Sequence, residues 1–312
     1  MKKLFNQISE LGLLAFEKMV VRGLKKYGFE EIWLNEQNLK IHGIQKKSAH
    51  TPTTLTTQSL IFIHGLGSTA SGYGQLMAKL SPYFSDMLVI SAPGHGLSPH
   101  HPIAYEQDSL FEFWVQFLYQ QYENTQKKLI LIATSLGGAV ALKYTARFPE
   151  TVAQLILCSP AGAPLIESEI EMIKQTFQMK NIFDGYRFLS QLYHQPPKYA
   201  PLIAPLIYRN LSDEKVQRFL LNLKSGDGLS PESLYEISCP LLLIWGTSEK
   251  ILPKRHLSYY RETFSHACAQ VKDLQIEEIQ NFSHSPHLES TQALVDVILP
   301  FIKKHLSHTQ ST

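Results

Sequence analysis

The sequence predicts an α/β protein with a mostly parallel central sheet and helices on both faces. Apolar runs typical of buried strands recur at residues 60–64, 87–91, 129–134, 155–159 and 241–245, with a weaker one at 274–278. Amphipathic helical patterns separate most of them, at residues 74–84, 107–122, 138–148, 254–266 and 291–305. Continuous apolar strands that alternate with helices are characteristic of parallel sheets.

The composition of the chain is that of an ordinary globular protein. Its 312 residues are enough for one large domain with an inserted piece. The formal net charge of +2 gives no reason to expect a nucleic-acid partner. The 3 cysteines are widely separated and show neither a disulfide framework nor zinc-site spacing, which favours a reducing, cytoplasmic location. No apolar run approaches the roughly 20 residues that span a bilayer.

The N-terminal part, residues 1–57, is predicted to form an amphipathic helix and a hairpin that pack on the core. The helical pattern covers residues 8–27 and the alternating hairpin pattern covers residues 30–44. Polar residues interrupt the stretch after the initial Met-Lys-Lys, so we expect no secretory signal peptide. The helix has two candidate uses: packing on the domain, or peripheral contact with the inner face of a membrane.

Residues 161–237 interrupt the alternation of strands and helices. This interval has helical patterns at 166–177, 181–193 and 213–223, together with several prolines, but no convincing buried strand. We predict a helical cap or lid inserted into a core formed by residues 58–160 and 238–312. Apolar side chains of the insertion can line a substrate cavity or pack the insertion on the core; these are Ile173, Phe177, Met179, Phe183 and Leu189.

Ser135 is the most informative candidate functional residue. Residues 129–138 run from four apolar residues through Ala-Thr-Ser-Leu-Gly-Gly into a helical pattern, which places Ser135 at a sharp turn. Small residues at Ala133 and Gly137 suit such a turn, because bulky side chains would clash there. A hydroxyl at this position becomes a nucleophile when a base lies beside it. The alternative is an ordinary connection between a strand and a helix.

His284 is the candidate base. It follows the last predicted strand and precedes the last helix, so its loop can reach the turn that carries Ser135. His287 competes for this role, but it lies where a helix is expected to begin, and we predict a structural role for it.

Glu249 is the candidate acid that orients the base. It lies four residues beyond the strand at 241–245, where a carboxylate can accept the Nδ1–H of an imidazole. Two alternatives remain open. Glu249 can be a solvated loop residue paired with Lys250, or Glu289 can be the acid, although we expect Glu289 to face outward from the last helix.

Two backbone N–H groups are candidate donors to an oxyanion. The N–H of Leu136 directly follows the nucleophile, and the N–H of Leu66 lies in the glycine-containing loop after the strand at 60–64. This loop lacks the lysine of a Walker motif and the spacing of a dinucleotide fingerprint. The histidines are scattered without metal-ligand spacing, so we predict neither a metal nor a cofactor.

The order of Ser135, Glu249 and His284 resembles that of the α/β-hydrolase superfamily. Similar motifs run in one order along the chain, at residues 64–67, 93–98, 133–138, 245–253 and 283–289. The resemblance implies the α/β-hydrolase fold from about residue 58 to 303, with the insertion in the place of the family's cap. Within the superfamily, the chain most resembles capped serine esterases and lipases of the monoacylglycerol-lipase type. Ser283 stands where this family usually has glycine.

The resemblance and the candidate triad together predict a serine hydrolase. We expect it to cleave small hydrophobic carboxylic esters through an acyl-enzyme. One alternative is different chemistry on the same triad, such as C–C bond hydrolysis, acyl transfer or perhydrolysis. The other is a ligand-binding receptor that keeps the fold without catalysis.

Overall fold

A single eight-stranded sheet organises the chain. The structure, a computed structural model, describes residues 2–48, 55–56 and 58–306, so parts of the predicted N-terminal unit and of the C-terminal tail lie outside the described residues. The strands are β1 (Glu30–Glu36), β2 (Leu39–Lys47), β3 (Ser59–Ile63), β4 (Asp86–Ile90), β5 (Leu129–Thr134), β6 (Val152–Cys158), β7 (Leu241–Gly246) and β8 (Leu274–Ile279). Their order is β1-β2-β4-β3-β5-β6-β7-β8, and only the β1–β2 and β2–β4 pairs are antiparallel. The predicted α/β class is confirmed.

Helices cover both faces of this sheet, as the alternating pattern predicts. They are α1 (Lys2–Leu24), α2 (Gly74–Leu80), α3 (Gln107–Thr125), α4 (Leu136–Arg147), α5 (Glu167–Thr176), α6 (Ile182–Leu192), α7 (Ala200–Leu211), α8 (Glu214–Leu221), α9 (Pro231–Leu234), α10 (Lys254–Phe264), α11 (Pro286–Glu289) and α12 (Thr291–Leu306). One apolar core packs α3, α4 and α10 on one face, and a second packs α1, α2 and α12 on the other. The central strands contribute alternate side chains to the two cores.

The β1–β2 hairpin extends the sheet rather than resting on it. Its turn residues Gln37 and Asn38 have φ values of 50° and 64°, which suit the tight turn of a two-residue hairpin. β2 continues into β4 by antiparallel pairing, with Gly43 opposite Ile90. A side chain at Gly43 would lie 2.8 Å from the carbonyl oxygen of Val89, so this close approach requires glycine.

Helices α5 to α9 occupy the interval between β6 and β7. Helix α7 is absent from the sequence prediction, because Pro201 and Pro205 indicated a break. Pro201 lies in the first turn, where an N–H has no intrahelical partner, and it therefore suits a helix start. Pro205 lies inside the helix and removes one backbone hydrogen bond. Tertiary packing tolerates this loss, since Ala200, Ala204 and Leu211 of α7 are buried.

Helix α1 packs on the turn after β3 and on the beginning of α2. Glu17 is fully buried and accepts a hydrogen bond from the hydroxyl of Ser71. A side chain at Gly74 would lie 2.7 Å from Cγ1 of Val20, so α1 approaches α2 closely. The helix is therefore held by a buried polar contact as well as by apolar packing.

Candidate active site

Ser135 occupies a strained turn between β5 and α4. Its φ of 55° and ψ of −124° are rare for a residue with a side chain, and such conformations cluster at functional sites. The N–H of Ser135 donates to the carbonyl of Cys158 at 3.2 Å, and the N–H of Ala161 donates to the carbonyl of Ser135 at 2.9 Å. The backbone around the hydroxyl is thus fixed by the end of the neighbouring strand β6.

Small residues allow this turn, as the sequence predicts. A side chain at Gly137 would overlap the carbonyl oxygen of Ile63, and one at Gly138 would lie 2.5 Å from Cβ of Pro160. A side chain at Gly65 would lie 3.0 Å from Cβ of Ser135. Glycine at these positions lets α4 and the loop after β3 pack closely around Ser135.

The structure brings His284 and Glu249 together. Nδ1 of His284 donates to Oε2 of Glu249 at 2.8 Å, and the two side chains are only 4% and 3% exposed. This bond places the proton of a neutral imidazole on Nδ1 and leaves the lone pair on Nε2, which is the form that acts as a base. Lys250, the alternative partner of Glu249, instead donates to the carbonyl of Ser190.

Glu249 is held as a carboxylate. Its Oε1 accepts hydrogen bonds from the N–H groups of Ile251 and Leu252 at 2.7 and 3.0 Å. Burial acts to raise the pKa of Glu249, but the charge and hydrogen bond of His284, with these two N–H groups, outweigh burial and lower the pKa below its ordinary value. Glu249 can therefore stabilise an imidazolium at His284.

Ser135 and His284 line one cavity from opposite elements. Ser135 follows β5, and His284 lies in the loop between β8 and α11. Between residues 58 and 306, no hydrogen bond joins their two side chains. Catalytic hydrogen bonds are often long without substrate and tighten in its complex. The arrangement thus places a hydroxyl and an imidazole at one cavity, with a buried carboxylate that orients the imidazole.

The two oxyanion candidates lie beside Ser135. Leu136 is the first residue of α4, so its N–H has no acceptor within the helix. Leu66, Leu136 and Ser135 line the same cavity. The dipole of α4 adds positive potential at this point.

His64 fixes the loop that carries Leu66. Its Nε2 accepts from the N–H of Ala92 at 2.9 Å, so its proton lies on Nδ1, which donates to the carbonyl of Gly65 at 2.8 Å. Burial lowers the pKa of His64 to about 4, and the ring is neutral near pH 7. His64 is therefore a structural link and is not a second base.

The contacts of His287 also indicate a structural role. Its ring stacks on Tyr73 with centroids 4.6 Å apart, and burial lowers its pKa to about 3. The hydroxyl of Tyr73 donates to Oγ1 of Thr134 at 2.9 Å, so the stack joins α11 to the end of β5. These contacts favour His284 over His287 as the base.

Glu289 does not face outward as we expected. Its carboxylate is half-buried and accepts from the N–H groups of Ser283 at 2.5 Å and His194 at 2.6 Å. The expectation was wrong because α11 ends at Glu289, which turns this side chain back toward the histidine loop. Glu289 supports that loop, whereas Glu249 contacts the imidazole.

Two cavities meet at Ser135. The larger has a volume of about 430 Å³, and the smaller has about 80 Å³. Of the five apolar insertion residues that the sequence singles out, Ile173, Phe177 and Leu189 line a cavity. Phe183 is 85% exposed, and Met179 packs within the insertion.

Sequence reasoning missed one wall of the larger cavity. Leu13, Phe16, Met19 and Val20 of α1 line it together with side chains of α6 and α7. The amphipathic pattern of α1 predicted an apolar face, but no pattern indicated that this face reaches the site of residue 135. Over the described residues, no group of three or more histidine, cysteine, aspartate or glutamate side chains is arranged to hold a metal ion.

These observations define the class of protein. The turn that carries Ser135 and the loops that carry Glu249 and His284 lie after parallel strands β5, β7 and β8, in the arrangement of an α/β-hydrolase. Residues 56–291 match the family described as serine aminopeptidase, S33, and the chain belongs to this family. Within the described residues, no helix is long and apolar enough to cross a membrane.

Known proteins are similar to the chain in sequence. It is 29% identical over 172 residues to the "Probable serine hydrolase" of Drosophila melanogaster, covering 53% of this chain and 50% of that one. It is 19% identical over 254 residues to "Lipase 1" of Psychrobacter immobilis, covering 77% and 75%. The chain spans about half the length of the first two curated relatives it matches.

A solved structure is similar to the chain in fold. A membrane phospholipase A superposes with a TM-score of 0.78 at 22% identity, covering 96% of this chain and 92% of that one. At this identity, the similarity concerns the fold alone, and it agrees with the predicted α/β-hydrolase fold.

Proposed function

We propose that this protein is a serine hydrolase of carboxylic esters that have a hydrophobic acyl group. The observation that carries the proposal is the buried hydrogen bond from His284 to Glu249, because His284 lines the same cavity as Ser135. A buried imidazole oriented by a carboxylate is the base that a serine nucleophile requires.

The reaction proceeds in two steps. In the first step, Nε2 of His284 accepts the proton of Ser135 while Oγ attacks the ester carbonyl, and the N–H groups of Leu66 and Leu136 hold the oxyanion. The C–O bond then breaks, His284 protonates the leaving alcohol, and Ser135 carries the acyl group. In the second step, His284 activates a water molecule, which releases the acid and restores the hydroxyl.

The linings of both cavities favour apolar substrates. Most residues around the smaller cavity are apolar, and Gln107, Asp227 and His256 also line it. An anionic acyl group would lose its hydration against this largely apolar lining, so we expect it to bind poorly. No residue of the proposed mechanism requires a metal or a cofactor.

Labelling by a fluorophosphonate probe tests the nucleophile. We expect covalent labelling of the folded protein that is lost in Ser135→Ala. Ser159→Ala is the matched control, because Ser159 also follows a parallel strand with a positive φ of 41° but does not line either cavity. Absence of labelling in the folded wild type would favour the receptor hypothesis.

Matched esters test the substrate class. We expect p-nitrophenyl butyrate to be cleaved at least about tenfold faster than its anionic succinate analogue, since burying a charge is costly. A vinylogous diketone and a peroxide-forming assay test the other reactions available to the same triad. Cleavage of the diketone without cleavage of any ester would replace our proposal by C–C bond hydrolysis.

We also propose that residues 8–27 contact a membrane surface. Phe16 and Met19 are 42% and 63% exposed and line the larger cavity, and the exposed Lys18 and Arg22 lie on the same helix. Apolar side chains flanked by cations suit an anionic lipid surface. We expect sedimentation with anionic vesicles that weakens in the double variant Lys18→Glu, Arg22→Glu. Equal sedimentation of both proteins would refute this contact.

A further inference from the structure

The two cavities at Ser135 differ in their position relative to the candidate base. Both are lined by Leu66, Ser135 and Phe177, so they join at the nucleophile. His284 lines only the larger cavity, whereas Leu136 lines only the smaller one. His284 therefore borders the larger cavity and Leu136 borders the smaller one, and the two cavities join at Ser135.

This difference orients an ester in the site. After Ser135 attacks, the carbonyl carbon carries an oxyanion, a leaving oxygen and an acyl chain. The leaving oxygen must lie within hydrogen-bond distance of the imidazole, because His284 protonates it. The alcohol part therefore extends into the larger cavity, and the acyl chain points toward the smaller one.

The walls of the cavities set different size limits. Helices of the insertion and the core line the smaller cavity, with Ile173, Phe219 and Leu223 among its apolar residues. Helices α1, α6 and α7 surround the larger cavity, which has about 430 Å³ compared with about 80 Å³ for the smaller. A long apolar chain therefore has more room on the side of His284.

We propose that the preferred substrate is an ester of a short apolar acid and a long apolar alcohol, with the alcohol seated between α1, α6 and α7. This inference rests on the proposed ester hydrolysis and adds the direction in which the substrate lies. The bond that breaks is the one between the acyl carbon and the alcohol oxygen. The alcohol leaves with the proton from His284, and water supplies the hydroxyl of the released acid.

A pair of isomeric esters tests the orientation. Hexyl acetate and ethyl hexanoate have the same molecular formula but exchange the lengths of the acid and the alcohol. After correction for their rates of alkaline hydrolysis, we expect kcat/KM to be at least about tenfold higher for hexyl acetate, since several methylenes are buried only in that orientation. Equal values, or a preference for ethyl hexanoate, would overturn the inference while leaving ester hydrolysis intact.

Variants on one helix assign the long chain to the larger cavity. Leu206 of α7 lines that cavity, whereas Leu202 of the same helix is 79% exposed and lines neither. Leu206→Trp should lower kcat/KM for hexyl acetate at least about fivefold relative to ethyl acetate, because it shortens the hydrophobic pocket. Leu202→Trp should leave both esters within about twofold of wild type. Equal effects of the two variants would contradict the assignment.

A complementary variant enlarges the smaller cavity. Leu223→Ala should raise kcat/KM for ethyl hexanoate relative to hexyl acetate, because Leu223 lines only that cavity. Fluorophosphonate labelling confirms that each variant keeps a folded site. Failure of the wild type both to cleave either ester and to react with the probe would overturn the proposed function together with this inference, whereas a reversed preference in a labelled enzyme overturns the orientation alone.

Discussion

The hydroxyl of Ser283 donates to the carbonyl oxygen of Gln191 at 2.8 Å, which joins the histidine loop to the last turn of α6. The same hydroxyl lies 2.9 Å from the carbonyl oxygen of Ser248, next to the acid. Ser283 is fully buried. The side chain of Ser283 thus connects the loop of His284, the loop of Glu249 and the insertion. The family that the chain resembles usually has glycine at this position.

Removal of this hydroxyl should loosen the histidine loop. In Ser283→Ala, the carbonyl group of Gln191 loses its donor within a buried loop, and we expect the free energy of unfolding to fall by about 1–3 kcal/mol. We expect kcat/KM to fall as well, because His284 is the next residue. Thermal unfolding and ester kinetics measure both effects. Ser233→Ala, which removes an exposed hydroxyl bonded to Ser230, should change neither.

Replacement of Glu249 by glutamine should remove catalysis without removing the side chain. Oε1 of Glu249 already accepts from two N–H groups, so the NH₂ of a glutamine would take the position of Oε2 and face Nδ1 of His284. The imidazole would then carry its proton on Nε2, which is the wrong tautomer for a base. We expect kcat to fall by roughly 10⁴-fold, the loss known for such a change in another triad.

Glu289→Gln is the matched control for this experiment. Glu289 also accepts two backbone hydrogen bonds but does not contact the imidazole. We expect it to affect stability more than kcat. A larger loss of kcat in Glu289→Gln than in Glu249→Gln would identify Glu289 as the orienting acid.

Buried histidines should make the protein less stable in mild acid. Burial lowers the pKa of His64 to about 4 and that of His287 to about 3. Below the ordinary histidine value of 6.5, the unfolded chain binds protons that the folded chain does not, so the free energy of unfolding decreases as the pH falls. The effect is absent above that value and grows as the pH falls toward about 4.

Denaturant titrations between pH 7 and 5 measure this dependence. Each such histidine contributes a slope of up to about 1.4 kcal/mol per pH unit. His64→Asn should remove the contribution of one histidine to this slope, since the asparagine side chain does not titrate in either state. The same free energy of unfolding at both pH values would contradict the burial of neutral imidazoles.

Substitution of one glycine should displace the nucleophile. The Cβ of Gly137→Ala would overlap the carbonyl oxygen of Ile63, a backbone atom that cannot move aside cheaply. We expect a loss of about 1–3 kcal/mol in stability and a strong decrease in fluorophosphonate labelling. Gly23→Ala is the comparison, because open space surrounds that position in α1. It should stabilise the protein by about 0.5–1 kcal/mol and leave labelling unchanged.

Most of the core fold was predictable because its signals are local. Buried parallel strands such as β5 and β7 are continuous apolar runs, and the helices between them have their own periodicity. The residues of the candidate site were identifiable for a related reason. Ser135, Glu249 and His284 each follow a strand, and parallel strands bring their carboxyl ends to one edge of the sheet.

The remaining features depend on contacts between distant segments. Pro205 indicates a break in isolation, but packing keeps α7 helical around it. The inward position of Glu289 depends on backbone donors at Ser283 and His194, which no local pattern shows. The position of α1 beside the cavity likewise depends on the buried pair of Glu17 and Ser71, which lie 54 positions apart in the chain.

The pairing of β2 with β4 has a practical consequence for anyone who shortens this polypeptide. A truncation to residues 56–291, the extent of the family match, would discard α1, β1, β2 and nearly all of α12. It would leave β4 as an unprotected edge with free backbone donors and acceptors, which promotes aggregation. It would also open the larger cavity to solvent on one side. The smallest piece expected to fold and bind its substrate therefore extends well beyond the region that similarity delimits.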